Sequence, residues 1–423
     1  MRDHPYAMPD LANLANKLTH ARFLQYLGPG FIVTVGFVDP GNFATNAQGG
    51  AEFGYRLLWV ISLSTLMLIL LQHMAAHVGI QTGRCIPEAI ATHFRPFPRA
   101  VIGVTAMLAC VATALAEILG AAIGLQLLFH LPLLIGALIA GAFVVAMIWS
   151  QQYHRLEHLI IGFVSIIGFC YLVEIIIVKP DLPAAALAAV YPSLDSKSIL
   201  VAMAMLGAVV MPHNIFLHSE VIQSRDWSAK DEKEREKLLR YEFVDTLLAM
   251  GVGWLINGAM VIVAAAVFFP NAVPGNLNDV ARTLEPLAGP LAALLFGIAL
   301  LCSGFSSSIT VGMAGGTIFT GFLKKSTDLR NPWFRLGVTI TLIPALLIIL
   351  LGFDPLKVLI ISQATLSIQL PFTIIPLYLL TRSEKVMGRF RNTWRENTLM
   401  LITAVIVIGL NLLLLYQTFG GQF

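Results

Sequence analysis

The chain has 423 residues, of which 57% are hydrophobic and only 12% are charged. An ordinary soluble domain is about 45–50% apolar and about 25% charged. The mean hydropathy is +0.79, and so much apolar surface cannot be hidden in one water-soluble core. The composition therefore excludes a soluble enzyme and indicates a membrane protein. The formal net charge of +3 gives no indication of a nucleic-acid partner.

Eleven apolar stretches are long enough to form transmembrane helices, since a helical crossing needs about 20 apolar residues. The first five are 27–48, 55–80, 100–128, 131–150 and 156–178. The other six are 197–219, 241–269, 286–322, 333–352, 356–381 and 397–417. The predicted fold class is an all-α membrane protein with about eleven transmembrane helices.

The basic residues predict the orientation of these spans. If the N-terminus lies in the cytoplasm, 22 of the 27 Lys and Arg residues fall in cytoplasmic segments and five fall outside. Membrane proteins carry an excess of basic residues on the cytoplasmic side. We therefore expect a multi-pass protein of the cell (inner or plasma) membrane, with residues 1–26 as a cytoplasmic N-terminal arm and the C-terminus outside. The first 22 residues lack the continuous apolar region of a signal peptide.

Two of the predicted spans are interrupted by proline near their centres. The first reads GPGFIVTVGFVDPGNFATNAQ, with Asp39 and Pro40 in its middle, and the sixth reads AMLGAVVMPHNIFLHS, with Met211 and Pro212. A proline removes one N–H group and frees backbone carbonyls at mid-membrane depth. Interrupted spans at matching positions of two halves indicate the substrate site of an inverted-repeat transporter. The repeats are predicted at 27–178 and 197–381, with 397–417 as an additional eleventh helix.

The residues at the breaks favour a bound cation. Asp39 is the only carboxylate in its span, and an ionised acid at this depth costs a few kcal/mol or more unless a partner compensates it. Asn42 follows on the same side of the chain and adds a neutral oxygen. Met211 adds a thioether, and the break beside it frees carbonyls such as that of Ala208. Oxygen ligands alone suit Mg²⁺ and Ca²⁺, whereas sulfur shifts the preference towards Mn²⁺, Fe²⁺, Co²⁺ and Cd²⁺.

The simpler alternatives for these residues stay open at this point. A single intramembrane Asp can be a hydrogen-bonded or protonated helix cap. The chain has 14 Met residues, and a Met in an apolar helix commonly serves packing alone.

The strings DPGN and GAVVMPHN resemble those of the Nramp family of divalent-metal transporters, in particular its bacterial manganese-transporting members. The resemblance extends to ATALAEILGAAIG, LHSEVIQSR and ISQATLSIQLPFTIIPL, and so covers nearly the whole chain. It implies a LeuT-type inverted repeat and proton-linked import of Mn²⁺ or Fe²⁺ by alternating access. It also implies that the protein is not an enzyme and needs no cofactor, because the divalent ion is the transported substrate.

The resemblance also implies roles for individual residues. The family's metal ligands fall on Asp39, Asn42, Met211 and the backbone carbonyls near Gly36 and Ala208, with Gln363 as a further polar contributor. Its proton-linked and gating positions fall on Gln72, Glu117, His213, His218 and Arg225. Imidazole is the side chain that changes charge nearest to physiological pH, although both histidines could instead only hydrogen-bond neighbouring helices.

Two positions of the third span depart from the family pattern. Many relatives have an acid three residues before the equivalent of Glu117 and another seven residues further upstream. This chain has Ala114 and Met107 there. Both changes remove carboxylates from the helix to which the family picture assigns proton movement. Proton coupling could therefore be weakened, rerouted through Glu117 and the histidines, or absent.

Three other functions are compatible with parts of the sequence. An Nramp-related Mg²⁺ carrier or an uncoupled divalent-cation carrier would share the architecture. A sodium-coupled amino-acid carrier is disfavoured by Asp39, because an organic carboxylate would bind half-helix N–H groups rather than an acid. A membrane metalloenzyme could use histidines four residues apart on one helical face. Two such HxxxH pairs occur, His73 with His77 and His154 with His158.

Overall fold

A computed structural model describes residues 29–34, 36, 38–150, 153–225, 228, 230–270 and 290–418. These residues form helices and connecting turns, with no strand among them. The first eight α-helices are α1 Pro29–Thr34, α2 Pro40–Phe53, α3 Leu58–Thr82, α4 Ile86–His93, α5 Pro96–Phe129, α6 Leu133–Trp149, α7 Tyr153–Val178 and α8 Leu182–Ala188. The other eight are α9 Ile199–Val209, α10 Pro212–Val221, α11 Glu232–Phe268, α12 Pro290–Phe322, α13 Pro332–Leu350, α14 Pro355–Thr381, α15 Glu384–Met387 and α16 Trp394–Thr418.

Within the described part of the chain, nine helical stretches are long and apolar enough to cross a membrane. One of them, Pro40–Thr82, unites α2 and α3 through a 3₁₀ turn, and another, Ile199–Val221, unites α9 and α10. Helix α6 is a shorter apolar helix of 17 residues. The all-helical membrane class is confirmed, and each predicted span coincides with a helix or a pair of helices. The count of eleven crossings stays a prediction.

Both predicted helix breaks are present. Helix α1 ends at Thr34, and α2 begins at Pro40 with Asp39 as its extended N-cap residue. Helix α9 ends at Val209, and α10 begins at Pro212 with Met211 as its extended N-cap residue. Proline suits the first position of a helix because that position has no intrahelical partner for an N–H group. Each break therefore ends one half-helix and starts the next.

Small residues bring the helices around the first break into close contact. A side chain at Gly120 of α5 would overlap Pro40, the first residue of α2. Gly304 of α12 lies directly against the backbone of Ala121, and Gly124 of α5 lies against that of Leu301. Such close backbone approach is typical of helix packing in membranes. This packing places the start of α2 against α5, one turn from Glu117.

The predicted segments of the chain have different outcomes in the structure. The arm at 1–26 lies outside the described residues. The repeat limits at 27–178 and 197–381 stay predictions. The predicted eleventh helix at 397–417 falls within α16.

Candidate metal site

Asp39 is completely buried at the start of α2. Its Oδ1 accepts hydrogen bonds from the backbone N–H and from the side-chain amide of Asn42, each at 2.6 Å. Its Oδ2 has no hydrogen-bond partner within the described protein. The simple helix-cap interpretation therefore accounts for one oxygen of the carboxyl group and leaves the other available.

The side chain of Asn42 connects the two helix breaks. Its Nδ2 donates to Asp39 and also to the carbonyl oxygen of Ala208 at 3.0 Å. In a continuous helix the Ala208 carbonyl would accept from the N–H four residues later. That residue is Pro212, which has no N–H, so the carbonyl is free to turn towards Asn42. The Asn42 Oδ1 is buried and has no hydrogen-bond partner among the described residues.

Met211 lies at the second break with its side chain completely buried. It packs against Ala109 of α5 and Leu366 of α14. The structure thus places the thioether at the end of α10 that faces the interior of the bundle. Its predicted role as a metal ligand stays a prediction.

The structure also places Gly36 and Gln363 beside the breaks. Gly36 is buried, and a side chain there would overlap the amide of Asn214, which donates to the Val33 carbonyl at 3.3 Å. Gln363 of α14 lies over the first turn of α2, where a side chain at Gly41 would overlap its amide. The Oε1 of Gln363 is buried without a hydrogen-bond partner in the described part of the chain. A third helix, α14, therefore brings an oxygen that could serve as a metal ligand close to Asn42.

Glu117 is buried in α5, and its carboxyl group is close enough to that of Asp39 for the two to interact electrostatically. It also accepts a hydrogen bond from the Ser307 hydroxyl of α12. Two neighbouring buried carboxyl groups can both ionise at low cost only if a cation lies beside them, and otherwise at least one keeps its proton. The sequence pattern indicated Glu117 but not its proximity to Asp39.

The two histidines of α10 have separate partners. Nδ1 of His213 lies 3.3 Å from the Thr113 hydroxyl, and Nδ1 of His218 lies 3.0 Å from Oε1 of Gln72. All four side chains are buried. Arg225 ends a 3₁₀ turn, Ile222–Arg225, and its side chain lies outside the described part of the structure. The predicted proton-linked positions are thus spread along α3, α5 and α10.

The two positions that lack acids are filled by apolar packing. Ala114 is completely buried in α5. Met107, two turns earlier, is partly buried against the main core. No carboxylate replaces them at these positions.

Ser303 was missed by the sequence analysis. Its hydroxyl donates to the backbone carbonyl of Val38 at 2.8 Å, directly before Asp39. Helix α12 thereby supports the broken backbone between α1 and α2. The run of serines at 303–308 of an apolar span was the available signal, because Ser side chains in membrane helices commonly hydrogen-bond neighbouring helices.

The described histidines of the HxxxH pairs do not form a metal centre. His73 is paired with Glu242 at 2.6 Å, and its ring stacks on His77. His158 is exposed, and the side chain of His154 lies outside the described residues. Among the residues that the structure describes, no group of three His, Cys, Asp or Glu side chains is arranged to hold a metal ion. The site at the breaks differs in kind, because it combines Asp39 with amide, carbonyl and thioether groups.

Comparisons with known proteins agree with this architecture. The family described as "Natural resistance-associated macrophage protein-like" matches residues 30–417. The "Divalent metal cation transporter MntH" of Caldanaerobacter subterraneus subsp. tengcongensis is 43% identical over 405 residues, 95% of each chain. The protein of the same name from Deinococcus radiodurans is 42% identical over 95% of this chain and 91% of its own length. These relatives are named as transporters and not as enzymes.

Solved structures give the same result. A manganese transporter of Eremococcus coleocola, in complex with an aromatic bis-isothiourea substituted compound, has a TM-score of 0.82 and 29% identity over 97% of this chain and 89% of that one. The nucleobase-cation symporter Mhp1, at 15% identity, has a TM-score of 0.63 over 93% of both chains and shares the LeuT-type fold alone. The match over residues 30–417, together with the full-length relatives, shows that the chain belongs to the Nramp family.

Proposed function

We propose that the protein imports divalent transition-metal ions by alternating access. Mn²⁺ and Fe²⁺ are the expected main substrates, and Co²⁺ and Cd²⁺ are expected to be further ones. The relatives named as divalent metal cation transporters and the solved manganese transporter support this substrate class. The proposed location is the cell membrane, with the N-terminus in the cytoplasm and the C-terminus outside.

The hydrogen bonds of Asn42 to Asp39 and to the Ala208 carbonyl carry this proposal. They show that an oxygen from each broken helix converges on one point inside the bundle. A cation at that point would bind the carboxylate and the carbonyl together and link the two breaks. Hard oxygen donors with a single carboxylate suit a divalent ion that keeps part of its water.

The thioether of Met211 supports a transition metal over Mg²⁺ or Ca²⁺. Sulfur is a soft ligand, which alkaline-earth ions bind poorly. Met211 is the N-cap residue of α10, directly before the proline that frees the Ala208 carbonyl. A sulfur at this position would contribute selectivity more than affinity.

The pairing of Asp39 with Glu117 supports a link to protons. A divalent ion beside Asp39 favours the ionised form of both carboxyl groups, so a proton held between them would leave as the ion binds. Inward flow of the metal does not require this link. An interior-negative potential contributes about 2.3 kcal/mol per charge per 100 mV, which doubles for a divalent ion.

Uptake of Mn²⁺ into proteoliposomes that contain a pH dye, with and without an imposed voltage, tests the proposal. The wild-type protein is expected to take up Mn²⁺, and Asp39→Ala is expected to abolish uptake. Glu174→Gln is the matched control, because Glu174 is also a buried acid but belongs to α7 and is none of the predicted site residues. Undiminished uptake by Asp39→Ala would overturn the site. Internal acidification during uptake would show proton coupling, and its absence would show an uncoupled carrier.

A further inference from the structure

A second cluster of buried ionisable groups lies where α3, α10, α11 and α16 meet. At its centre, Nδ1 of His73 lies 2.6 Å from Oε2 of Glu242. Both side chains are at most 1% exposed. An ionisable pair at this depth in a membrane protein is costly unless its members compensate each other, and such pairs commonly serve function.

The surroundings of this pair keep it in one geometry. The Thr246 hydroxyl donates to the other oxygen of Glu242 at 2.7 Å. The ring of Phe243 packs edge-on against His73 with 5.1 Å between centroids. The ionisable groups that interact with the pair are His77 from α3, His218 from α10 and Glu396 from α16. One carboxylate and two further imidazoles thus lie around it.

The cluster contacts both half-helices that lead to the metal site. Gln72, next to His73, accepts a hydrogen bond through Oε1 from Nδ1 of His218 in α10 at 3.0 Å. Asp245, one turn after Glu242, accepts from the backbone N–H of Gly30 in α1 at 2.7 Å. Neighbouring turns of α3 and α11 therefore hold α10, whose N-cap residue is Met211, and α1, which leads to Asp39. A change of charge in the pair acts on the contacts of both half-helices.

We propose that His73 and Glu242 form a second proton-binding site, separate from Asp39 and Glu117, whose protonation holds α1 and α10 against α3 and α11. With one proton on the pair, imidazolium and carboxylate attract each other across the helix interface. When that proton leaves to water, the imidazole is neutral and the pair carries a net charge of −1. A buried uncompensated carboxylate is strongly destabilising, so loss of the proton favours separation of these helices.

The inference deepens the proposed transport function, since α1 and α10 are the elements that must move if the site is to open. On the proposed topology, the pair lies in the cytoplasmic half of α3 and α11. Proton loss to the cytoplasm would then favour opening on that side. A pair whose charge did not change over the range where imidazole titrates would instead hold the helices together equally at every pH in that range.

Hydrogen–deuterium exchange of the full-length protein in nanodiscs tests this site without relying on transport. Protection of the amides in α1 and α10 is corrected for the intrinsic exchange rate and compared from about pH 5.5 to about pH 8.5. For the wild type, protection is expected to fall with rising pH, by up to about tenfold per unit, the slope of one proton. For Glu242→Gln the change is expected to be less than about twofold per unit, because the amide keeps a hydrogen bond to His73 but removes the carboxylate that holds the proton on the imidazole.

The control is again Glu174→Gln, for which we expect the wild-type pH dependence. If Glu242→Gln is not recovered folded, His73→Gln provides the same test from the other partner. The wild-type slope in either variant, or a wild-type protein without a slope, would overturn the second site. Failure of Mn²⁺ uptake in proteoliposomes would instead overturn the transport proposal, so the two failures are distinguishable.

Discussion

Asn42 donates two hydrogen bonds to a single oxygen of Asp39, one from its backbone and one from its side chain. The same side-chain NH₂ group donates to the Ala208 carbonyl. It therefore occupies the position between two oxygens that a cation would bind. An ion that binds both oxygens must displace the NH₂ group. A rotation of the amide would then present Oδ1, which has no hydrogen-bond partner, as a further ligand.

Asn42→Ala should weaken Mn²⁺ binding because it removes this Oδ1. We expect the Kd to rise at least about tenfold, the loss of about 1.4 kcal/mol, measured by isothermal titration calorimetry. Asn46→Ala is the control one turn further along α2. Asn46 donates to Asn257 at 2.7 Å, so its loss should lower stability and leave the Kd unchanged. Equal effects of both substitutions on the Kd would contradict the assignment.

Met211→Ala should retain Mn²⁺ uptake and admit Ca²⁺ or Mg²⁺ as stronger competitors. Without sulfur, only oxygen ligands remain, and these suit the harder ions. The measured quantity is the ratio of Ca²⁺ to Mn²⁺ concentration at which Mn²⁺ uptake is halved. We expect this ratio to fall by about tenfold, equivalent to about 1.4 kcal/mol of selectivity. Met203→Ala in α9 removes a similar buried side chain that packs against Ile199 and should leave selectivity unchanged. Unaltered competition in Met211→Ala would remove the sulfur argument.

Gly120→Ala should abolish or strongly reduce transport, because its methyl group would overlap Pro40 at the start of α2. Either Asp39 shifts or α5 moves away, and overpacking of this kind costs about 1–3 kcal/mol. Gly258→Ala in α11 is the matched control for Gly120→Ala, since a methyl group there meets no described atom within 4 Å. That control should be neutral or more stable by up to about 1 kcal/mol, from helix propensity. Thermal unfolding and Mn²⁺ uptake measure both effects, and full activity of Gly120→Ala would show that α2 tolerates displacement.

Ser303→Ala should destabilise the protein, because it leaves the buried Val38 carbonyl without its donor. We expect a loss of about 1–3 kcal/mol, the cost of an unsatisfied buried acceptor. Ser308 lies on the same helix and is equally buried, but within the described structure its hydroxyl has no hydrogen-bond partner, so Ser308→Ala is the control. Its loss should cost little or be stabilising. Thermal denaturation in detergent compares the two, and a Ser308 effect as large as that of Ser303 would refute the supporting role.

Local sequence signals were sufficient to predict the breaks and the residues that carry them. Pro40 and Pro212 interrupt apolar spans, and a proline inside a span has a direct consequence for the backbone. The polar residues Asp39 and Asn42 follow from the same reasoning, because polar groups are rare at this depth. The structure places all of them where the pattern indicates.

Contacts between distant segments could not be predicted from these signals. The proximity of Glu117 to Asp39 depends on the absence of a side chain at Gly120, which allows α5 to approach Pro40. The pair of His73 and Glu242 joins residues 169 positions apart, and the HxxxH spacing suggested a different partner for His73. A pattern within one helix shows which face is polar, but not which helix lies opposite.

The Ala208 carbonyl shows that a substitution at another position of the chain can alter this site. Its availability depends on Pro212, four residues away, and not on the side chain at its own position. In an alanine scan, the loss of this carbonyl as a ligand would therefore appear in the Pro212 variant and not in a variant at position 208. Replacing Pro212 with Ala would restore an N–H group that competes for the carbonyl, so a residue that contacts no ion would control one of its ligands.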